Sequence, residues 1–316
     1  MDLKIPYRIN WAGAYLDCID EPVITSTIDK YITFHCTKRD DKQVVIFSKE
    51  FNDTYKTNLK PKAHKENKWT SYVDGCITVF TRNNFKLLSG CDIEVENDLP
   101  SGIGVSGSAA FIVGIIQCLC WANDIIMSYD LIAHFGYWVE HDYLNIPCGR
   151  MDFKAVLHEP GIWKIDTADI SLVHDILLDH NHYTGLLLYK EQHEHLADEE
   201  FASIVRDIKD TKNNFKNNLL SEYIDFEKNI VDCIVYESHE NKLNEVLGIA
   251  LRSSCLNMSV NLFKKQYEAN KTEGVFGEKL VGSGLKGAKF LLINKAYEDK
   301  IIECFKQDYN VVEVNI

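Results

Sequence analysis

The sequence predicts an α+β fold in two lobes. Strand patterns occupy most of the first half, a long helical stretch follows, and strand patterns return near the end. The chain has 316 residues, which suggests two domains or one large one, and its hydrophobic content of 46% is ample for a core. We expect the lobes to meet between residues 165 and 175, with an N-terminal lobe at 1–168 and a C-terminal lobe at 169–316.

Three segments of the N-terminal lobe have strand patterns, because polar and apolar residues alternate or β-branched residues dominate. They are residues 24–38, 44–51 and 91–97. Residues 108–124 are apolar on nearly every side, which predicts a buried helix. A second helix is predicted over 127–144, with Ser128 as its N-cap.

The C-terminal lobe is predicted to begin with a buried strand at 182–191 and to continue with helices over 199–268. A glycine-rich turn within 277–295 then separates two strands. A helix at 296–309 and a strand at 310–316 complete the predicted order.

The charge balance excludes several classes of partner. Lys and Arg number 34 against 47 Asp and Glu, and the net charge of −13 repels nucleic acid and anionic membranes. No stretch of about 18 apolar residues occurs, and the first residues lack the apolar core of a signal peptide. The ten cysteines form no CxxC pair, which argues against a zinc knuckle. We therefore expect a cytoplasmic protein with reduced thiols and no nucleic-acid or membrane partner.

Residues 99–110, "LPSGIGVSGSAA", form a loop of small residues directly before the predicted buried helix. Backbone N–H groups at a helix N-terminus bind anions, and glycine lets the backbone approach phosphates closely. The hydroxyls of Ser101, Ser106 and Ser108 would add hydrogen-bond donors or a magnesium ligand. The spacing fits neither a Walker loop nor a dinucleotide fingerprint. Such a turn is also a common structural device, so the loop alone leaves both interpretations open.

Five segments, in the same order along the chain, resemble motifs of the GHMP kinases. The loop is similar to their PxxGxGxSxSAA motif. "VEHDYLNIPCGRMDF" is similar to AEHxxxGxPCGxMDQ, whose CGxMD part is specific to the galactokinase branch. The other three are "IPYRINWAGAYLD", "KWTSYVDG" and "GEKLVGSGLKGAKFLLI". The matches span residues 5–293 and imply the two-lobed GHMP kinase fold, with the active site in the cleft between the lobes.

The resemblance also implies the roles of individual residues. Asp152 corresponds to the catalytic aspartate, and Arg8 to the arginine that keeps this aspartate ionised and offsets charge on the transferring phosphoryl group. Ser108 and Glu140 correspond to the ligands of Mg²⁺, which prefers oxygen atoms. The residues expected around ATP are Pro100, Ser101, Gly102, Gly104, Ser106, Gly107, Ser108 and Ala109. Those expected around the sugar are Tyr15, Asp17, Gly149, Asp152 and Gly284.

The sequence departs from the galactokinase pattern at positions expected on the substrate side. The first motif reads "GAYLD" where galactokinases have GEHTD, so Ala14 and Tyr15 replace the Glu and His that reach the far end of galactose. Asp17 is kept, and Phe153 replaces the Gln that follows the catalytic aspartate. Histidines 193 and 195 lie among carboxylates, where a metal site is conceivable but a solvated loop is favoured.

The resemblance implies an ATP-dependent kinase that phosphorylates the anomeric C1 hydroxyl of a galactose-like monosaccharide or derivative. Arabinose or heptose-phosphate kinases of the same superfamily are alternatives, and so is a kinase of a non-sugar alcohol. A catalytically silent sensor of sugar and ATP is an alternative of another class. The retained Arg8, Ser108, Glu140 and Asp152 argue against the sensor. We expect a monomer or homodimer.

Overall fold

The structure is a computed structural model. It describes the residues 1–63, 68–167, 173–176, 181–190, 205–207, 209–210, 218–238, 272–282 and 288–316. These residues mix helices with strands, so the predicted α+β class is confirmed. None of the helices within these ranges is long and apolar enough to cross a membrane.

The described chain divides into two compact units. The first contains residues 1–7, 30–101 and 106–159, and the second contains 8–29, 102–105 and 160–316. The expected lobe boundary after residue 168 falls in a stretch outside the described residues. The lobes at 1–168 and 169–316 therefore stay a prediction.

The first unit combines a sheet with a group of helices. Its strands are β2 (Val23–Lys38, of which 30–38 belong here), β3 (Gln43–Ser48), β4 (Asp53–Asn58) and β5 (Cys91–Asn97), in the order β4-β3-β5-β2. β3 and β5 are parallel, whereas β5 pairs with β2 in the antiparallel direction. The three strands predicted from residue patterns are β2, β3 and β5, so those predictions are confirmed.

Four helices complete the first unit, and their residue patterns explain their positions. They are α1 (Trp69–Arg82), α2 (Gly107–Ala122), α3 (Tyr129–Tyr137) and α4 (Met151–Ala155). The predicted burial of α2 is confirmed, because most of its side chains are buried. Gly114 lets α2 approach the sheet, since a Cβ at this position would lie 2.1 Å from the Phe34 ring.

The predicted helix over 127–144 is confirmed at its start and changes type before its end. Ser128 caps α3, because its Oγ accepts a hydrogen bond from the Leu131 N–H. From Trp138 to Tyr143 the backbone is a π-helix. Such wide turns are frequent at functional sites, and this one carries Glu140.

Among its described residues, the second unit contains an antiparallel sheet and one long helix, α5 (Asn218–Ser238). The sheet order is β11-β8-β10-β9, from β8 (Tyr183–Tyr189), β9 (Val275–Leu280), β10 (Lys289–Asn294) and β11 (Asn310–Val314). Helix α6 (Glu298–Phe305) packs on it through Ile301, against Leu186, Leu188, Leu291 and Ile293. These elements confirm the predicted strands and final helix, whereas most of the helical stretch predicted over 199–268 lies outside the described residues.

The second unit also contains strands that the residue patterns did not predict. β6 (Gly161–Ile165) pairs with the first half of β2 on one side and with β7 (Val173–Ile176) on the other. β1 (Asp2–Ala12), of which residues 8–12 belong to this unit, pairs with β2, and most of its residues are buried. A short 3₁₀ helix, Leu16–Ile19, follows β1.

Candidate active site

The glycine-rich loop joins β5 to α2 in a backbone conformation that explains its composition. Gly102, Gly104 and Ser106 have φ values of 84°, 93° and 63°, all in the left-handed region. Glycine adopts this region at little cost. A Cβ on Gly102 would meet no atom within 4 Å, so the backbone conformation and not crowding accounts for glycine there.

Both ends of the loop are held by hydrogen bonds. In the first unit, the Tyr7 hydroxyl donates to the Leu99 carbonyl at 3.1 Å. In the second unit, the Arg8 N–H donates to the Val105 carbonyl at 3.1 Å. Two successive residues of β1 therefore anchor the loop, one near each end, and Ile103 fixes it further because its side chain is buried.

The start of α2 offers polar groups that suit an anion. Ser106 precedes the helix as its N-cap, and its buried Oγ makes no hydrogen bond to any described residue. A buried hydroxyl without a partner destabilises a fold by about 1–3 kcal/mol. An incoming phosphate oxygen would accept from this hydroxyl and from the N–H groups of the first turn, so the residues present fit a bound phosphate.

The remaining loop residues differ in exposure and in partners. The Ser101 hydroxyl and N–H both donate to the Glu50 carboxylate at 2.7 Å, and the Asn97 side-chain amide donates to the same group. A hydroxyl has one proton, so in this arrangement Ser101 has none left to donate to a phosphate. Pro100, Ser101 and Gly102 are exposed, Gly104, Gly107 and Ser108 are partly buried, and Ala109 is buried.

The loop is supported from behind by the segment after β9. A Cβ on Gly104 would lie 3.0 Å from the Val281 carbonyl oxygen, and a Cβ on Gly282 would lie 2.6 Å from the Gly104 carbonyl oxygen. Both glycines also have positive φ. Two glycine backbones thus pack directly against each other, within the second unit. Gly284, expected near the sugar, lies outside the described residues.

Glu140 lies in the π-helical turn that packs against α1. Its side chain is only 7% exposed. Gly75 of α1 makes this packing possible, because a Cβ there would lie 2.8 Å from Val139 Cγ1 and 2.9 Å from Tyr143 Cδ1. Gly75, the glycine of the "KWTSYVDG" segment, therefore determines how closely the turn that carries Glu140 packs against α1.

Asp152 is the second residue of α4 and is partly exposed, whereas Gly149 shortly before it is buried. The neighbouring Phe153 is 0% exposed. Its ring occupies the space left by Gly136 of α3, where a Cβ would lie 2.4 Å from Phe153 Cδ1. The expectation that Phe153 faces the substrate is therefore wrong, because its ring packs in the core and anchors α4.

The other residues expected at the sugar end belong to the second unit. Arg8 lies on β1 and is buried. Tyr15 has a φ of 65° and precedes the 3₁₀ helix that contains Asp17, which is 8% exposed. Ser108, Glu140 and Asp152 belong to the first unit, so a single site formed by both groups stays a prediction.

Two buried charged residues that sequence reasoning missed lie beside the first motif. Glu227 of α5 accepts a hydrogen bond from the Gly13 N–H at 2.7 Å. Lys279 of β9 donates from Nζ to Asn10 Oδ1 at 2.7 Å. Burial raises the pKa of the Glu227 carboxyl to about 7, and the Lys279 charge opposes this rise. The "DFEKN" stretch around Glu227 has the composition of a solvent-facing helix, so the sequence carries no signal for this contact.

An aromatic cluster in the first unit was also missed. The Phe51 ring stacks on Trp69, with centroids 6.0 Å apart, and Trp69 meets Phe111 of α2 edge-on at 6.3 Å. Phe51 is 48% exposed. Phe111 follows the start of α2 by four residues, which is about one turn. A partly exposed aromatic surface therefore lies one helical turn from the loop. The sequence offered one signal for this cluster, namely the large aromatic residues near the small-residue loop.

Comparison with known proteins agrees with the motifs. Residues 71–159 match the family described as GHMP kinases N terminal domain. The galactokinase of Pyrococcus furiosus is 24% identical over 332 aligned positions, which cover 97% of this chain and 93% of that protein. The galactokinase of Chloroflexus aggregans is 29% identical over 171 positions, which cover 53% of this chain and 44% of that protein.

Two solved structures share the fold. Lactococcus lactis galactokinase, complexed with galactose, gives a TM-score of 0.88 at 16% identity, covering 100% of this chain and 93% of that one. Methanococcus jannaschii mevalonate kinase gives 0.76 at 17% identity, covering 100% and 98%. The fold is therefore that of the GHMP kinases. The family model covers residues 71–159 of this chain, and the curated relatives that match it are galactokinases.

We expect Gly75→Ala to lower both the stability and kcat. The new methyl group would collide with Val139 and Tyr143 and displace the turn that carries Glu140. Overpacking of this kind costs about 1–3 kcal/mol, which urea unfolding would measure, and steady-state assays would report kcat. Thr70→Ala, on the same helix but partly exposed, serves as the control. Normal stability and kcat in Gly75→Ala would contradict this packing argument.

Proposed function

We propose that the protein transfers the γ-phosphoryl group of ATP to the anomeric C1 hydroxyl of a galactose-like monosaccharide or derivative. The observation that carries the proposal is the loop before α2, with three left-handed residues and the buried hydroxyl of Ser106. The enzyme class, an ATP-dependent sugar kinase, rests on the family and its curated galactokinases.

ATP is proposed to bind with its phosphates on residues 100–109. The N–H groups at the start of α2 and the Ser106 hydroxyl would donate to phosphate oxygens, and the open space above Gly102 leaves room for them. The adenine ring would stack on the aromatic surface of Phe51, Trp69 and Phe111, because flat apolar rings suit an aromatic base. These contacts would orient the γ-phosphoryl group toward its acceptor.

Magnesium is proposed to bind between Ser108 and Glu140. A hydroxyl and one carboxylate, completed by phosphate oxygens and waters, form a donor set that Mg²⁺ accepts. Glu140 is proposed for this role because it supplies a carboxylate on a side chain that is only 7% exposed. When bound, the ion would offset the charge on the phosphates.

The proposed chemistry uses Asp152 as general base. Its carboxylate takes the proton from the C1 hydroxyl as that oxygen attacks the γ-phosphorus, the bond to the β-phosphate oxygen breaks, and ADP leaves. Arg8 is proposed to offset charge on the transferring group. The buried Phe153 ring, wedged against Gly136, holds the helix of Asp152 in place and so helps to orient the carboxylate.

The sugar is proposed to be recognised through Asp17, which can accept from two adjacent ring hydroxyls. Tyr15 and Gly149 are proposed as further sugar contacts. Ala14 lacks a carboxylate for a C6 hydroxyl, and Tyr15 offers an aromatic ring in place of imidazole. We therefore propose a sugar whose C5–C6 region differs from that of galactose. Arabinose and heptose phosphates are the alternative substrates within this scheme.

A sensor without catalysis is the alternative of another class, and the retained Asp152 and Arg8 argue against it. A cytoplasmic location stays part of the proposal. It rests on the nine cysteines of the described residues, which form no disulfide and are mostly buried. A monomer or homodimer is likewise proposed and would be distinguished by light scattering.

Asp152→Asn is expected to lower kcat by at least about 100-fold, because the amide cannot accept the hydroxyl proton. The KM for ATP should stay within about twofold. The measurement is coupled ADP release with the preferred sugar. Asp142→Asn, an exposed carboxylate in the π-helical turn, should leave kcat unchanged. If Asp152→Asn keeps most of its kcat, Asp152 is not the base; if the unaltered protein binds sugar and ATP without turnover, the sensor alternative holds.

Galactose is expected to be a poor substrate, with kcat/KM about 1–3 kcal/mol worse than for the preferred sugar, the scale of one mismatched group. The test is kcat/KM for galactose against arabinose, fucose, galacturonate, N-acetylgalactosamine and heptose phosphates, with ATP consumption as the readout. If galactose is the best substrate by about tenfold, the inference from Ala14 and Tyr15 is wrong.

Phe51→Ala is expected to raise the KM for ATP by about fivefold or more, because base stacking on an aromatic ring contributes about 1–3 kcal/mol. The sugar KM should not change. Leu88→Ala removes another exposed apolar side chain of the same unit, 65% exposed, and serves as the control. Equal ATP affinities for the unaltered protein and Phe51→Ala would place the adenine elsewhere.

A further inference from the structure

A buried carboxylate from α5 holds the backbone of the first motif. Glu227 is 0% exposed, and its Oε2 accepts the Gly13 N–H at 2.7 Å. The Ala14 N–H also bonds to this carboxylate. Hydrogen bonds between an ionised acceptor and backbone N–H groups are among the stronger ones in proteins. Two successive residues of the motif are therefore fixed by one side chain that lies more than 200 positions later in the chain.

A buried ammonium group holds the preceding residues. Lys279 of β9 donates from Nζ to Asn10 Oδ1 at 2.7 Å and to the Trp11 carbonyl at 3.3 Å. Lys279 also contributes a favourable charge interaction to Glu227. All of these residues belong to the second unit. The segment from Asn10 to Ala14 thus lies between two side chains of opposite charge, from α5 and β9.

The segment from Asn10 to Ala14 leads directly into Tyr15 and Asp17, which are expected to bind the sugar. Gly13 and Tyr15 both have left-handed backbones, with φ of 79° and 65°. A left-handed conformation at a bulky residue such as Tyr15 persists only when its surroundings impose it. The Leu16 N–H returns to the Gly13 carbonyl at 3.0 Å and starts the short helix that carries Asp17. The position of Asp17 therefore depends on that of Gly13.

We propose that Glu227 is a positioning residue for sugar binding, which fixes Gly13 and Ala14 so that Asp17 meets the ring hydroxyls. The inference rests on the proposed function. Glu227 acts through the backbone and does not touch the sugar, because it is fully buried. It supplies a carboxylate to this segment from a distant helix, beside position 14, where the galactokinase pattern has a glutamate and this chain has Ala14.

The charge of Glu227 changes near neutral pH. Burial raises the pKa of its carboxyl to about 7, while Lys279 and the N–H groups of Gly13 and Ala14 act in the opposite direction. On α5 itself, the neighbouring Lys228 pairs with Glu21 at 3.1 Å and is partly exposed. A protonated carboxyl is a weaker hydrogen-bond acceptor than a carboxylate. The hydrogen bonds that Gly13 and Ala14 donate to Glu227 therefore weaken as pH falls below 7.

The experiment compares Glu227→Ala, Glu227→Gln and the control Asp225→Asn, an exposed carboxylate on the same helix. Glu227→Ala should raise the sugar KM about tenfold, since two backbone hydrogen bonds are lost, with the KM for ATP within about twofold. Glu227→Gln keeps an acceptor oxygen and should raise the sugar KM about threefold at pH 8. Asp225→Asn should match the unaltered protein.

The pH profile separates positioning from general structural support. The ratio of sugar KM for Glu227→Gln to that of the unaltered protein should fall from about three at pH 8 to about one at pH 6, where both side chains are neutral. The change of stability with pH also has a defined direction. The folded-state pKa of about 7 lies above the ordinary glutamate value of 4.5, so the unaltered protein loses stability as pH rises between these values. The urea midpoint of Glu227→Gln, relative to the unaltered protein, should therefore rise from pH 5 to pH 8.

Amide hydrogen exchange of the peptide spanning residues 10–17 supplies a readout that needs no sugar. Exchange should increase in Glu227→Ala and not in Asp225→Asn. Unchanged exchange, or an equal rise in the KM for sugar and ATP, overturns the inference. Should Glu227→Ala fail to fold, the KM ratio of Glu227→Gln decides, and a ratio of one at both pH values overturns it. Absence of ATP consumption with every sugar would instead defeat the proposed function, while exchange still reports whether Glu227 holds the segment.

Discussion

Helix α2 is the constraint on which the rest of the structure depends. Its side chains are apolar on nearly every side, so the helix must be covered along its length. A covered helix can present only its ends to a ligand, and its N-terminal N–H groups need acceptors. The left-handed Ser106 turns the chain sharply into the helix and leaves its own buried hydroxyl without a described partner. The burial of the helix and the anion binding proposed at its N-terminus thus follow from one sequence pattern.

Close backbone approach is the second recurring device. Gly114 leaves space for the Phe34 ring, and Gly75 leaves space for the turn that carries Glu140. Gly136 leaves space for the ring of Phe153, the neighbour of Asp152. In each case a methyl group would come within 3 Å of a neighbouring atom, a distance that real Cβ atoms essentially never show. Interiors packed at crystal density transmit such a collision to whatever is attached. The glycines away from the loop therefore determine where the candidate catalytic side chains lie.

Buried charge is the third device. Glu227 and Lys279 are both removed from water, which costs free energy unless each finds partners. They find them in the backbone and side chains of Asn10 to Ala14. A pair of this kind contributes little net stability, but it holds a unique geometry, because removing either partner leaves the other buried and uncompensated. The strained backbone around Tyr15 is the feature that such a geometry would maintain.

Local patterns were sufficient for much of the fold. The alternation in β3 and β5, the continuous apolar character of α2 and the capping Ser128 are short-range signals, and the structure bears each of them out. β1 and β6 were missed because their burial comes from pairing with β2, which is distant in sequence.

The candidate site likewise contains residues that local patterns predict and residues that depend on distant contacts. The loop, Glu140 and Asp152 could be identified from the order and spacing of motifs, since those residues are close to their motif neighbours in the chain. The core position of Phe153 depends on Gly136, and the role of Glu227 depends on Gly13, at separations that no local pattern records. By itself the sequence determined the reaction class, and it predicted the residues that would perform the reaction. Only the tertiary structure decided which side chains hold those residues in place, because such contacts arise when distant segments pack together.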